Sequence, residues 1–83
     1  MHTKYDLSKA EATKLELVLT RNCYLPNIVS HEGNLIAYDL NGVVLIRRYS
    51  SEDGTMELYF IGKNRKDISL MVSEIEDMAE INL

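Results

Sequence analysis

"VVLIRRYSSEDGTMELYF", residues 43–60, decides the fold. It reads as two apolar strands joined around Asp53-Gly54, a dipeptide that favours a hairpin because its glycine takes positive φ without steric cost. Two adjacent arginines, Arg47 and Arg48, stand in the first strand. Strand side chains alternate between faces, so these two point to opposite sides of the sheet. One of them must face whatever the sheet packs against.

Working outward, Asn41-Gly42 marks a second hairpin. A two-residue turn there pairs Leu40 with Val43, Tyr38 with Leu45 and Ile36 with Arg47. Around Asp53-Gly54, a loop of two or four residues keeps Met56, Leu58 and Phe60 on the same face as these residues. A three-residue loop with a bulge would not. Arg47 is therefore expected on the more apolar side, against the helices, and Arg48 on the other. With the four-residue loop, Arg48 lies across from Glu57. The preferred reading of Arg47 is an aliphatic stem packed along Leu58, its guanidinium reaching solvent over Tyr38 or Tyr49. The alternative is a buried cation paired with a carboxylate or gripping a partner.

Glu32-Gly33 supplies a third turn, so the middle of the chain divides into strands at residues 27–31, 34–40, 43–50 and 55–61. Before them, Ser8-Lys9-Ala10-Glu11 is a capping box, with Leu7 and Ala12 at the staple positions. Ala12, Leu15, Val18 and Leu19 form a helical stripe. Leu15, Leu17 and Leu19 also alternate as in a strand, but the cap decides for a helix. Pro26 ends it by about Cys23. From Asn64 or Asp67, the residues Ile68, Met71, Val72, Ile75, Met78 and Ala79 follow helical spacing. The expectation is one compact α+β domain over residues 1–83. It is an antiparallel meander of three to four strands with an N-terminal and a C-terminal helix, in the order α-β-β-β-β-α.

Composition limits the function. With 46% hydrophobic and 27% charged residues, the 83-residue chain has enough apolar material for one core, which argues against disorder. Neither an apolar leader nor a run long enough to cross a membrane is visible, so no membrane association is expected. Cys23 is the only cysteine, which excludes an internal disulfide and suggests a reducing, cytoplasmic setting. The net charge of −4 is uneven: residues 67–83 hold Asp67, Glu74, Glu76, Asp77 and Glu80 and no Lys or Arg. A polyanion is repelled by that end, which makes nucleic acid an unlikely partner.

Two surfaces are in excess of what folding needs. The second face of the sheet carries Leu35, Ala37, Val44, Ile46, Tyr59 and Ile61, with Asp39, Arg48 and Glu57 among them. A sheet with one wetted face alternates more cleanly. Either the helices cover opposite faces, or they share one and the other meets a second molecule. The strand at 55–61 lies at the edge of a simple meander and invites another chain to pair with it. The acidic face of the last helix, Glu74, Glu76, Asp77 and Glu80, suits a basic partner surface. The candidate partner-binding residues are thus Ile46, Arg48, Glu57, Tyr59 and Ile61, together with that acidic set.

Catalytic chemistry is sparse. His2 falls in a terminus expected to fray, and His31 lies beside a turn. Cys23, His31 and scattered carboxylates lack metal-ligand spacing, and a Cys23–His31–Asp39 nucleophile arrangement has no supporting context. The glycines are too dispersed for a phosphate loop, leaving only the segment GKNRKD, residues 62–67, as an anion candidate. No cofactor, metal or catalytic residue is assigned. Nucleic acid or a small anion would have to use Arg47, Arg48, Lys63, Arg65 and Lys66, with Tyr49 and Tyr59 for stacking. In size, acidity and lack of catalytic motifs the chain is similar in type to small bacterial and phage inhibitors, including immunity and anti-CRISPR proteins. The expected function is a non-enzymatic protein that binds and blocks or regulates a macromolecular partner. A homo-oligomeric module such as a homodimer comes second, and the nucleic-acid or anion binder third.

Overall fold

The computed structural model describes residues 1–21 and 27–83. Its elements run β1 (His2–Leu7), α1 (Lys9–Arg21), β2 (Ile28–Glu32), β3 (Leu35–Leu40), β4 (Val43–Tyr49), β5 (Met56–Ile61) and α2 (Arg65–Ala79). Among the described residues the strands form one antiparallel sheet in the order β1-β5-β4-β3-β2. The α+β class and the meander from β2 to β5 are as expected. The added strand is β1, formed by the terminus expected to fray. In it Thr3, Tyr5 and Leu7 alternate with His2, Lys4 and Asp6, and they pair with Phe60, Leu58 and Met56. This strand corrects the expectation that β5 is an edge. β5 is flanked by β1 and β4, and the true edges are β1 and β2.

Turn chemistry sets the registers. Asn41 and Gly42 both take positive φ, +55° and +89°, as a type I′ turn demands, and Leu40 pairs with Val43. At the first hairpin the turn residues are Gly33 and Asn34 rather than Glu32 and Gly33. Glu32 remains in β2 opposite Leu35, and of the two turn residues only Gly33 has positive φ. The loop after β4 is the four-residue one, closed by the Ser50 N–H donating to the Thr55 carbonyl, so Tyr49 pairs with Met56 and Arg48 with Glu57.

Local caps start both helices. The Glu11 N–H donates to Ser8 Oγ (3.3 Å) while the Ser8 N–H donates to Glu11 Oε1 (2.9 Å), the reciprocal bonds of the capping box. Leu7 and Ala12, the staple pair, are both buried. Asn64 caps α2 by accepting the Asp67 N–H at 2.9 Å. At the other end of α2, Glu80 takes a left-handed conformation and Lys14 of α1 donates to the Glu80 carbonyl (3.4 Å). A cation from the neighbouring helix thus meets a C-terminus whose own last turn is without basic residues.

Both helices pack on one side of the sheet. A single core joins Ala12, Leu15, Val18 and Leu19 of α1 and Ile68, Met71, Val72 and Ile75 of α2 to Tyr38, Leu45, Leu58 and Phe60 of the sheet. Tyr5 closes the β1 side, its ring edge-on to Phe60 with centroids 6.0 Å apart. The question of shared or opposite faces is settled: the helices share one.

Candidate partner-binding surface

Arg47 and Arg48 part company as strand alternation requires. Arg47 points into the helix layer, where Nη2 lies 2.9 Å from Oε1 of Glu16 on α1. Its side chain is only 12% exposed. The preferred expectation, a guanidinium reaching solvent over an aromatic ring, is corrected, because the carboxylate of α1 ends its path. Arg47 is used internally and is not available to a ligand. Among the described residues, Arg47 Nε and Glu16 Oε2 are buried without a hydrogen-bond partner, so the pair is held by a single short contact.

Arg48 opens onto the opposite face, which no element of the described residues covers. Register places its side chains in three rows across the strands from β1 to β3. His2, Ile61, Val44 and Asp39 form the first row; Lys4, Tyr59, Ile46 and Ala37 the second; Asp6, Glu57, Arg48 and Leu35 the third. The middle of the face is therefore apolar. Ile61 is 40% exposed, Leu35, Val44, Ile46 and Tyr59 are half-buried, and Ala37 is covered by its neighbours. Val29, at the bulge in β2, adds an apolar side chain 63% exposed.

Charges rim this band and neutralise one another. Lys4 Nζ lies 3.0 Å from Glu57 Oε2 and 3.6 Å from Asp6 Oδ1, and Arg48 Nη1 lies 3.5 Å from Glu57 Oε1. The hydrogen bond from Lys4 holds the Glu57 carboxyl below its usual range, and the same contact raises the Lys4 ammonium. In the adjoining loop, hydrogen bonds from the Thr55 hydroxyl and N–H hold Asp53 low as well.

The structure brings together five of the candidate partner-binding residues: Ile46, Arg48, Glu57, Tyr59 and Ile61 are contiguous on the open face. The acidic four are elsewhere. Glu74, Glu76 and Asp77 lie on α2 and Glu80 caps its C-terminus, all in the helix layer, with Glu76 also accepting the Leu83 N–H at 2.8 Å. The two sets form separate surfaces. Lys4 and Asp6, which complete the charged rim, were missed in the sequence because β1 was not recognised as a strand. The alternation of Thr3, Tyr5 and Leu7 was the available signal.

The other chemical candidates do not assemble. His31 pairs with Ile36 and shares its face, whereas Asp39 lies on the opposite face, so no His31–Asp39 relay exists; Cys23 lies outside the described residues, as does Pro26. His2 is in β1 rather than in a frayed end. Among the described residues no three His, Cys, Asp or Glu side chains gather as metal ligands, and no helix is long and apolar enough to cross a membrane. In the segment GKNRKD, Asn64 takes the Asp67 N–H and donates to Asp67 Oδ2 (3.1 Å), which puts a carboxylate where an anion would sit. The five cations are split among the helix layer, the open face and the start of α2. No protein-family model matches the chain, and no curated protein or solved structure is significantly similar to it.

Proposed function

We propose that this protein acts by binding rather than by catalysis: it docks a macromolecular partner on the open face of its sheet and so blocks or regulates that partner. One observation carries the reading. The apolar band of Leu35, Val44, Ile46, Tyr59 and Ile61 runs across the centre of a face that the described residues leave uncovered. Apolar side chains gathered at the centre of an open face mark a protein contact site, and a rim of paired charges around an apolar centre is the usual anatomy of a protein interface. The acidic surface of α2, in the other layer, is a second place at which a basic partner could be steered.

The test is co-purification from the protein's own cells with tagged chain, comparing wild type, Ile46→Glu, Tyr59→Glu and the helix-face control Leu70→Glu. Leu70 is 62% exposed on α2. Partner recovery lost in the two face variants and kept in the control supports the reading. Recovery that is the same in all four contradicts it.

A further inference from the structure

We infer that the open face of the sheet takes a second copy of this chain, giving a face-to-face dimer of two sheets with the helices outermost. This rests on the reading of that face as a protein-binding surface, and it names the occupant. Three observations point to a copy of the chain.

The first is charge arrangement. The rim carries Lys4 and Arg48 paired within one molecule with Asp6 and Glu57, and the same face adds Asp39 and Glu32, so it presents both signs, as its occupant must. A two-fold axis running parallel to the strands, between β4 and β5, keeps each row over itself and exchanges β4 with β5 and β1 with β3. Ile46 of one copy then comes over Tyr59 of the other and Val44 over Ile61, while Arg48 comes over Glu57 and His2 over Asp39. Each complementary contact is made twice, as an isologous interface requires.

The second is where the uncompensated charge lies. Two molecules of net charge −4 repel unless their acidic parts are kept apart. Glu74 and Asp77 on α2 and Glu80 at its C-cap are exposed, in the layer away from the open face. Stacked sheets, each backed by its helices, put the two helix layers about 30 Å apart at roughly 10 Å per layer. That is several times the screening length of about 8 Å at physiological salt. Docking through the helix layer would bring those charges together.

The third is area. Five strands at about 4.8 Å spacing and six residues at about 3.3 Å give a footprint of roughly 24 by 20 Å per copy. Two such footprints, with side-chain relief added, reach the total of about 1,000 Å² or slightly more that a specific but reversible interface needs. A concentration-dependent dimer is the outcome that fits.

Sedimentation equilibrium of the purified full chain across the micromolar range reads this directly. The expected result is twice the 9.5 kDa chain mass at the upper end. Ile46→Glu and Tyr59→Arg should each weaken association by about 30-fold or more, as loss of a central contact does, while Leu70→Glu leaves it unchanged. Far-UV circular dichroism establishes that each variant is folded, and the two face variants serve as replicates should one fail to fold. A dimer that survives both substitutions overturns the inference by placing the interface elsewhere. A folded monomer at every concentration also overturns it. The docking reading then stands apart: partner recovery that depends on Ile46 preserves it with a foreign occupant, and recovery independent of Ile46 removes both.

Discussion

At the scale of single residues, Arg47 and Arg48 show how strand alternation assigns two identical side chains to unrelated work. Arg48 is 59% exposed in the rim of the open face, while Arg47 is drawn into the helix layer by Glu16. Removing one member of a mostly buried pair strands the other charge, whereas replacing both with apolar groups relieves the desolvation. Because Glu16 is 29% exposed, the penalty is reduced from that of a fully buried pair. Arg47→Met alone should cost about 1–3 kcal/mol in urea unfolding, and Glu16→Leu added to it should recover most of that loss. An Arg47→Met protein as stable as wild type would mean that only the aliphatic stem matters. Residue spacing foretold the face of Arg47 but not its partner, since Glu16 and Arg47 are brought together only by the docking of α1 on the sheet.

At the scale of elements, β1 is the strand that changes the meaning of the sheet. The Gly62 N–H donates to the Met1 carbonyl (3.0 Å), which fixes the phase of the ladder. By antiparallel alternation the inward backbone groups belong to Thr3 and Tyr5, and those of Lys4 face away from β5. Tyr5→Pro should therefore remove a ladder bond and the packing on Phe60, costing about 3 kcal/mol or more, while Lys4→Pro costs less than half as much. Equal effects in urea titrations would contradict this register. The Asn41-Gly42 turn and the Ser8–Glu11 cap were legible because each depends on two to four neighbouring residues, while the head of α2 was left between Asn64 and Asp67 until the Asn64 cap decided it. β1 was not, because its three alternating residues run straight into a helix cap with no turn between them. Such an edge strand is specified by its neighbour β5 as much as by its own pattern.

At the scale of the whole molecule, the open face follows from a choice no local pattern records. Each helix has one apolar stripe, and either side of the sheet could have accepted it. In the structure α1 and α2 pack together over the side of Tyr38, Leu45, Leu58 and Phe60, leaving Val44, Ile46, Tyr59 and Ile61 to face outward. The excess of apolar residues on the second face was visible in the sequence; that the described residues leave it uncovered was not. With β5 enclosed by β1, pairing along that strand is removed as a route to a partner, and the sheet face carries the account. Its most direct test is methyl NMR of the full chain, diluted from high to low micromolar concentration. The resonances of Val44, Ile46 and Ile61 should move together while those of Leu17 and Leu70 stay fixed. Movement confined to Leu17 and Leu70, or no movement anywhere, would contradict a self-docking sheet face.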